Sequence, residues 1–194
     1  MKNIITIGRQ YGSGGRYIAK KVAALLGVKC YDSELILKIA KEHGFDESIV
    51  KEYDEKGTSF ADFFVPLSAG VNLQSRIIEA QFDTIRLLSE KESCVIVGRC
   101  ADYVLRDSKT VLSVFIMSDM DNRVKRGIDF YKLDEKKAYD IIKKTDKKRG
   151  SYYNFYTDKK WGKADSYNLC VDSKIGIDET AAVIKAYADK FFAE

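Results

Sequence analysis

A glycine-rich loop between a short apolar run and an amphipathic segment is the feature that most constrains this chain. Residues 4–7 predict a strand, residues 8–16 read Gly-Arg-Gln-Tyr-Gly-Ser-Gly-Gly-Arg, and residues 17–26 have helical apolar spacing that ends before Gly27. Strand, glycine loop and helix in this order can cradle a phosphate, because glycines let successive N–H groups turn inward and the helix end adds partial positive charge. The alternative is a plain left-handed turn between strand and helix.

The loop matches neither of two common nucleotide-binding motifs. Tyr17 stands where G-x-G-x-x-G needs its last glycine, which disfavours a dinucleotide-binding fold. When Gly12-Ser13-Gly14 is aligned with the Gly-x-Gly of a standard P-loop, Gly15 falls at the lysine position and Arg16 at the Ser/Thr position. A one-residue insertion would instead let Arg16 replace the lysine as a bidentate phosphate clamp. The expected phosphate-binding residues are Gly12, Ser13, Gly14, Gly15 and Arg16, and Ser13 is the hydroxyl that could reach a magnesium ion.

Apolar runs that alternate with helical patterns predict the rest of the fold. The expected strands are residues 4–7, 28–31, 94–97, 112–117 and 168–171. The expected helices are residues 17–26, 34–42, 73–90, 120–130, 135–156 and 178–192. Strands with continuous apolar character are covered on both faces, and helices between them imply parallel crossovers. We therefore expect one domain over residues 1–194, with a three-layer α/β/α fold around a five-stranded parallel sheet that binds ligands beyond its carboxyl edge.

Residues 57–72 interrupt this regular pattern. They contain the chain's only proline, Pro66, beside Phe60, Phe63 and Phe64. Aromatic side chains need a surface to cover, so we expect a flexible insertion near the acceptor site rather than a linker.

Composition narrows the classes of protein to consider. Lys and Arg number 33 against 29 Asp and Glu, and this mild excess does not by itself indicate nucleic-acid binding. No apolar run approaches the roughly 18 residues of a membrane helix, and Met1 leads directly into a strand pattern. Four cysteines without C-x-x-C spacing predict free thiols rather than a zinc site, and His43 lies in a polar helix ending. We expect a cytoplasmic protein with no membrane partner.

Four segments together carry a family resemblance. They are the Gly-Ser-Gly-Gly of the loop, residues 31–36 (Tyr-Asp-Ser-Glu-Leu-Ile), residues 97–103 (Val-Gly-Arg-Cys-Ala-Asp-Tyr), and residues 146–149 (Asp-Lys-Lys-Arg) followed by Tyr152-Tyr153. Along nearly all its length the chain resembles the cytidylate-kinase-like branch of the P-loop nucleoside monophosphate kinases. The resemblance implies a P-loop nucleoside triphosphate hydrolase fold, ATP with Mg²⁺ as cofactor, transfer of the γ-phosphate to a phosphorylated acceptor such as CMP or dCMP, and a lid over residues 123–163.

The resemblance also implies the acceptor-binding residues. Arg99 corresponds to the arginine of a family Gly-Arg-Asp segment, in which Cys100 here replaces the aspartate, and Asp102 could substitute for it. This departure puts cytidine specificity in doubt. Asp146 and Arg149 resemble an Asp-x-x-Arg near the acceptor sugar and phosphate. The other basic residues of segment 143–149 are expected on a solvated helix face.

The catalytic residues implied by the resemblance are Arg16, Asp32, Arg123 and Arg126. Asp32 follows the second strand and could hold hydrated magnesium through water, as an Asp-x-Asp pair does in shikimate-type kinases, or simply cap the next helix. Arg123 and Arg126 share a helix face at i and i+3, where lid arginines neutralise charge on the transferred phosphoryl group. For Arg99, the alternative is a structural arginine that pairs with an acidic loop.

Two other interpretations of the sequence stay open. The aromatic cluster Tyr152, Tyr153, Phe155, Tyr156 and Trp161 predicts core packing or a wall for one nucleobase rather than a nucleic-acid platform. The absence of the P-loop lysine, of its Ser/Thr and of the family aspartate leaves room for a catalytically degenerate nucleotide-binding or sensing protein. The segment Asp32-Ser33-Glu34 and the altered insertion leave room for a kinase of another small metabolite.

Overall fold

Five parallel strands form the central sheet of the computed structural model, which describes residues 2–32 and 71–193. The strands are β1 (Ile4–Arg9), β2 (Lys29–Tyr31), β3 (Cys94–Val97), β4 (Val111–Met117) and β5 (Leu169–Asp172). Their order across the sheet is β2-β3-β1-β4-β5, and every neighbouring pair is parallel. All five carboxyl ends therefore meet at one edge, with the central β1 leading directly into the glycine loop.

Helices connect these strands. They are α1 (Gly15–Leu26), α2 (Val71–Lys91), α3 (Ala101–Val104), α4 (Met120–Asp129), α5 (Ala138–Tyr156) and α6 (Ile177–Phe191), with short 3-10 turns at Ala164–Ser166 and Ser173–Ile175. Gly27 ends α1 in the left-handed conformation, and the Asp119 side chain accepts a hydrogen bond from the Asn122 N–H at the start of α4. The sequence predicted both features, Gly27 as the end of this helix and Asp119 as the cap of the later one.

Apolar side chains from β1 alternate between the two faces of the sheet. Ile5 and Ile7 pack in one core with α1 and α6, where Ile18 and Ile184 are fully buried. Ile4 packs in a second core with α2, α3 and β3 on the opposite face. Both faces of the sheet are thus covered, which confirms the predicted three-layer α/β/α architecture.

The predicted strands agree with the observed ones to within one or two residues, and five of the six predicted helices are present with shifted ends. The single-turn α3 was not predicted. The helix predicted over residues 34–42 and residues 57–70 of the predicted insertion lie outside the described residues, whereas Val71 and Asn72 begin α2. In the described ranges, 2–32 and 71–193, no helix is both long and apolar enough to cross a membrane.

Candidate active site

A cavity of about 610 Å³ opens at the carboxyl edge of the sheet, beside the glycine loop. Its basic lining residues come from β1, α1, the turn after β3, and α5: Arg9, Arg16, Arg99, Lys144, Lys148 and Arg149. Two lining residues are acidic, Asp32 and Asp102, and a wall of aromatic side chains includes Tyr152, Tyr153, Trp161 and Tyr167. A cavity with this composition suits an anionic ligand that also carries a flat ring.

Two glycines of the loop adopt left-handed backbone conformations. Gly12 and Gly14 adopt positive φ angles of 81° and 77°, and Gly12 to Gly15 are buried. In the part of the chain that the structure describes, the backbone N–H groups of Gly12, Gly14 and Gly15 have no hydrogen-bond acceptor. Buried N–H groups need a partner, and α1 begins here without a side-chain cap. Gly15 lines the cavity, whereas Gly12 and Gly14 do not, and phosphate binding by the loop stays a prediction.

Hydrogen bonds of Ser13 and Tyr11 to neighbouring groups also fix the position of the loop. The Ser13 hydroxyl is fully buried, donates to the Gln10 carbonyl at 2.9 Å and does not line the cavity. The Tyr11 N–H donates to Asp146 Oδ1 at 2.7 Å. Ser13 thus turns toward its own loop, which leaves Asp32 as the better placed of the two predicted magnesium contacts.

Arg16 and Asp32 lie side by side at the cavity. Arg16 Nη2 is 2.6 Å from Asp32 Oδ2, and the Arg16 side chain is 47% exposed against 16% for Asp32. Both residues line the cavity, and their predicted roles toward phosphate and magnesium stay predictions. Asp32 follows β2 directly, so the parallel sheet brings its carboxylate to the same edge as the loop.

The turn after β3 is unusual. Gly98, Arg99 and Cys100 all have positive φ angles, 74°, 58° and 54°, and two such non-glycine residues in succession are uncommon. Backbone strain of this kind is concentrated at functional sites. The turn holds Arg99 at 8% exposure in the cavity wall, with its Cζ 5.9 Å from the centre of the Tyr152 ring.

Cys100 and Asp102 differ sharply in chemistry. Burial raises the pKa of the Cys100 thiol, so it is neutral near pH 7 and cannot replace the family aspartate. Burial also raises the pKa of Asp102, although the hydrogen bond from the Tyr153 hydroxyl, 2.6 Å from Oδ2, opposes this shift. Asp102 lines the cavity, and its contact with an acceptor stays a prediction.

Arg149 reaches the cavity from α5. Its Nη1 donates to the Arg9 carbonyl at 3.1 Å, and its Cζ lies 5.3 Å from the centre of the Tyr11 ring. Burial lowers the pKa of Arg149 and the Asp146 carboxylate opposes this, yet a guanidinium remains charged at neutral pH. Arg149 can therefore hold an anionic ligand next to the glycine loop.

Three other predicted residues stand behind the loop instead of lining the cavity. Arg123 is 4% exposed and forms an ion pair with Asp146. The Arg123 backbone packs closely on Gly12, because a Cβ added to Gly12 would lie 2.7 Å from the Arg123 carbonyl oxygen. Arg126 donates to the Ser173 carbonyl at 2.6 Å and to its hydroxyl at 3.1 Å. These contacts support a positioning role for Arg123, Arg126 and Asp146, while their direct contact with substrate stays a prediction.

Sequence reasoning missed some lining residues. Lys144 and Lys148 were assigned to a solvated face, but they line the cavity one turn apart on α5. Arg9 was not considered, although strand alternation places it on the same face as Ile5 and Ile7, at the end where β1 meets the cavity. That alternation is the signal that could have found it.

Metal-ligating side chains are sparse in this region. Over residues 2–32 and 71–193, no group of three or more His, Cys, Asp or Glu side chains is placed to hold a metal ion. Asp32 suits a contact through water to an ion that arrives on nucleotide phosphates, which is how Mg²⁺ is commonly bound.

Comparison with known proteins agrees with this description. The model of the cytidylate kinase-like family matches residues 4–175. An uncharacterized protein from Eubacterium ventriosum has a solved structure with a TM-score of 0.76 and 35% identity, covering 97% of this chain and 99% of that one. Two solved kinases share the P-loop kinase fold with this chain. A shikimate kinase from Bacteroides thetaiotaomicron has a TM-score of 0.56 and 14% identity, covering 96% of this chain and 98% of that one. A gluconokinase from Sinorhizobium meliloti has a TM-score of 0.56 and 13% identity, covering 97% of this chain and 92% of that one. No curated protein sequence matches the chain.

Proposed function

Because the chain belongs to the cytidylate kinase-like family, we propose that it transfers the γ-phosphoryl group of ATP to a nucleoside monophosphate, with CMP and dCMP as the first acceptors to test. One observation carries the proposal: six basic side chains surround a cavity beside a glycine loop with unpaired amides. Bringing two phosphorylated molecules together requires this kind of charge neutralisation. The cytoplasm, expected from the sequence, belongs to the same proposal.

The donor phosphates bind at the loop. The N–H groups of Gly12, Gly14 and Gly15 point to this role because they are buried without acceptors, and the start of α1 adds partial positive charge. Arg16 and Asp32 flank the same side of the cavity. Mg²⁺ that arrives with ATP would neutralise the phosphate oxygens, and Asp32 would contact it through water.

The acceptor binds opposite the donor, between the turn after β3 and α5. Arg99 and Arg149 are the phosphate contacts in this proposal, since the buried Arg99 and the half-buried Arg149 both line the cavity. Asp102 accepts a hydrogen bond from a hydroxyl or amino group of the acceptor. The aromatic wall of Tyr152, Tyr153 and Trp161 supplies a surface against which a base can stack.

The reaction needs no nucleophilic side chain from the protein. An acceptor phosphate oxygen attacks the γ-phosphorus, the bond to the bridging oxygen breaks, and ADP leaves with that electron pair. The side chains act by holding the two substrates in line and by balancing the charge that spreads over the transferred group. In this proposal, the arginines and the backbone N–H groups of the loop hold the substrates and balance this charge.

A second candidate function keeps the phosphoryl transfer and changes the acceptor. It is favoured by Cys100, whose neutral thiol cannot supply the carboxylate of the family Gly-Arg-Asp segment. Arg99 and Arg149 could hold a carboxylate as well as a phosphate. A small acidic metabolite is then the acceptor. The third candidate is a nucleotide-binding or sensing protein that no longer transfers phosphate.

Acceptor profiling separates these candidates. ADP release is measured with ATP and CMP, dCMP, UMP, other monophosphates and small hydroxy acids, against the ATPase rate without acceptor. We expect one acceptor class to raise the rate, and Arg149→Met to raise its KM by about tenfold or more, while Lys147→Met, an exposed neighbour outside the cavity, leaves it unchanged. Calorimetric ATP binding with no acceptor-dependent rate would favour the sensor instead.

A further inference from the structure

Arg9 and Gly15 are in contact where a standard phosphate loop has its lysine. With Gly12-Ser13-Gly14 aligned to the motif, Gly15 is the residue at the lysine position. A Cβ added to Gly15 would lie only 2.6 Å from Arg9 Cβ and 2.8 Å from Arg9 Cγ. The aliphatic part of Arg9 thus fills the space into which a side chain at position 15 would start.

The other end of the Arg9 side chain lies over Gly98, at the end of β3. A Cβ on Gly98 would be 2.1 Å from Arg9 Nη1 and 3.1 Å from Arg9 Cζ. Gly15 and Gly98 both line the cavity, as Arg9 does. Because Gly15 and Gly98 have no side chains, the Arg9 side chain can pass between them, and its guanidinium reaches the cavity.

The electrostatics of Arg9 indicate an anionic ligand. Within residues 2–32 and 71–193, its guanidinium has no hydrogen-bond acceptor and no ion-pair partner. Burial and the nearby positive charges of Arg149 and Arg99 lower the pKa of Arg9, and Asp32 opposes them. An arginine stays protonated even so, which leaves a partly buried positive charge beside two others.

We propose that Arg9, from the end of β1, replaces the missing loop lysine and binds the β- and γ-phosphates of the donor nucleotide bidentately. Arg16, the other candidate for this role, is about half exposed and already forms an ion pair with Asp32. The proposal rests on the function proposed above, because it assigns the donor polyphosphate to this cavity. It also explains why glycine occupies positions 15 and 98.

Arg9→Met tests the charge while keeping most of the side chain's bulk. The probe is inorganic tripolyphosphate, which presents the donor's phosphates without its base, and calorimetry measures its affinity. We expect Arg9→Met to weaken the binding of tripolyphosphate by about tenfold to a hundredfold, because a bidentate, charge-assisted contact is lost. Arg106→Met, an exposed arginine outside the cavity, is the matched control and should change nothing.

Thermal unfolding of the same variants distinguishes a ligand-binding arginine from a structural one. Without tripolyphosphate, Arg9→Met should unfold at the same or a higher temperature than the wild type, because the substitution removes the electrostatic repulsion of Arg9 by Arg99 and Arg149. The rise in unfolding temperature on adding tripolyphosphate should be largely lost. A lower unfolding temperature with unchanged tripolyphosphate affinity would show a structural role and overturn the proposal.

Exchanging the two positions gives a second, independent test. Gly15→Lys alone should lose tripolyphosphate binding and stability, because its side chain meets Arg9. Arg9→Gly with Gly15→Lys should recover binding to within about tenfold of the wild type, since the lysine then enters the space that the Arg9 side chain occupied. Glycine is needed at position 9 because Arg9 Cβ itself is in the way.

The outcomes separate this inference from the proposed function. If the wild type binds tripolyphosphate and transfers phosphate but Arg9→Met does both equally well, only the role of Arg9 is wrong. If the Gly15→Lys variant binds as well as the wild type, the contact with Arg9 does not exclude a lysine and the inference also fails. If the wild type binds neither tripolyphosphate nor ATP, the proposed function itself is wrong.

Discussion

Asp146 connects the glycine loop to the two helices that follow β4. One carboxylate oxygen accepts the Tyr11 N–H at 2.7 Å, and the other forms the ion pair with Arg123. Neither Arg123 nor Asp146 lines the cavity, so at residue scale the structure supports a role for the pair in holding the loop in position. Removing one partner of a buried pair leaves the other charge without compensation.

Asp146→Asn should therefore destabilise the fold. We expect the free energy of unfolding in urea to fall by about 3 kcal/mol, since Arg123 keeps its burial and loses its counter-ion. Asp158→Asn, at an exposed site after α5, should change it by no more than about 0.5 kcal/mol. In the double variant with Arg123→Met, the loss should be smaller than the sum of the two single losses. Strict additivity would contradict the pairing.

Asp102 predicts a pH dependence at the same scale. Its folded pKa is raised above the unfolded value, mainly by burial, so the folded state holds its proton more tightly. Stability from this group is fully present below the unfolded pKa, near pH 4, and is lost as pH rises through the raised folded pKa. Asp102→Asn should thus gain stability relative to the wild type between pH 4 and pH 7.

Thermal unfolding of both proteins across that pH range measures the difference. The Tyr153 hydroxyl can still donate to the asparagine carbonyl, so the hydrogen bond is retained. Asp158→Asn should track the wild type at every pH. A stability difference that shrinks toward pH 7 would mean that the Asp102 pKa is not raised.

At the scale of elements, Ser173 joins three segments that are distant in sequence. Its fully buried hydroxyl donates to the Ser13 carbonyl at 2.7 Å, and Arg126 of α4 donates to the same hydroxyl. The turn after β5, the helix after β4 and the glycine loop are thereby held together.

Ser173→Ala should loosen the loop. We expect a loss of about 1–2 kcal/mol in the free energy of unfolding, because the Ser13 carbonyl loses its donor. Tripolyphosphate affinity should fall as well, since a loop that must first be ordered binds more weakly. Ser151→Ala, at an exposed position of α5, is the control. Lower stability with unchanged affinity would show that Ser173 supports the fold but not the loop.

Local patterns made the strands, most of the helices and several site residues predictable. Asp32 was predicted because residues after parallel strands share one edge, whereas Arg99 and Asp102 were implied by the family resemblance. The turn α3 was missed because residues 98–100 reach it through three left-handed conformations that propensity does not favour. Arg9 was missed because its role depends on the missing side chains of Gly15 and Gly98, and Gly98 is distant in sequence.

At the scale of the whole molecule, the strand order brings distant residues to one place. β1 lies at the centre of the sheet between β3 and β4, so the glycine loop, the turn after β3 and helix α5 all border one cavity. The chain carries a net charge of +4, and six basic residues against two acidic ones line this cavity. Positive charge is therefore concentrated at the cavity where ATP and its acceptor are proposed to bind.

Phosphorus NMR of the wild-type protein with MgATP and an excess of CMP tests the central claim most directly, because it distinguishes transfer from hydrolysis. We predict that CDP and ADP resonances grow together while ATP and CMP decline, with little inorganic phosphate. If CMP is not the acceptor, the same coupled growth should appear with another phosphorylated or acidic acceptor. Release of inorganic phosphate alone, or no reaction with any acceptor of either class, would contradict a phosphoryl-transfer site in this cavity.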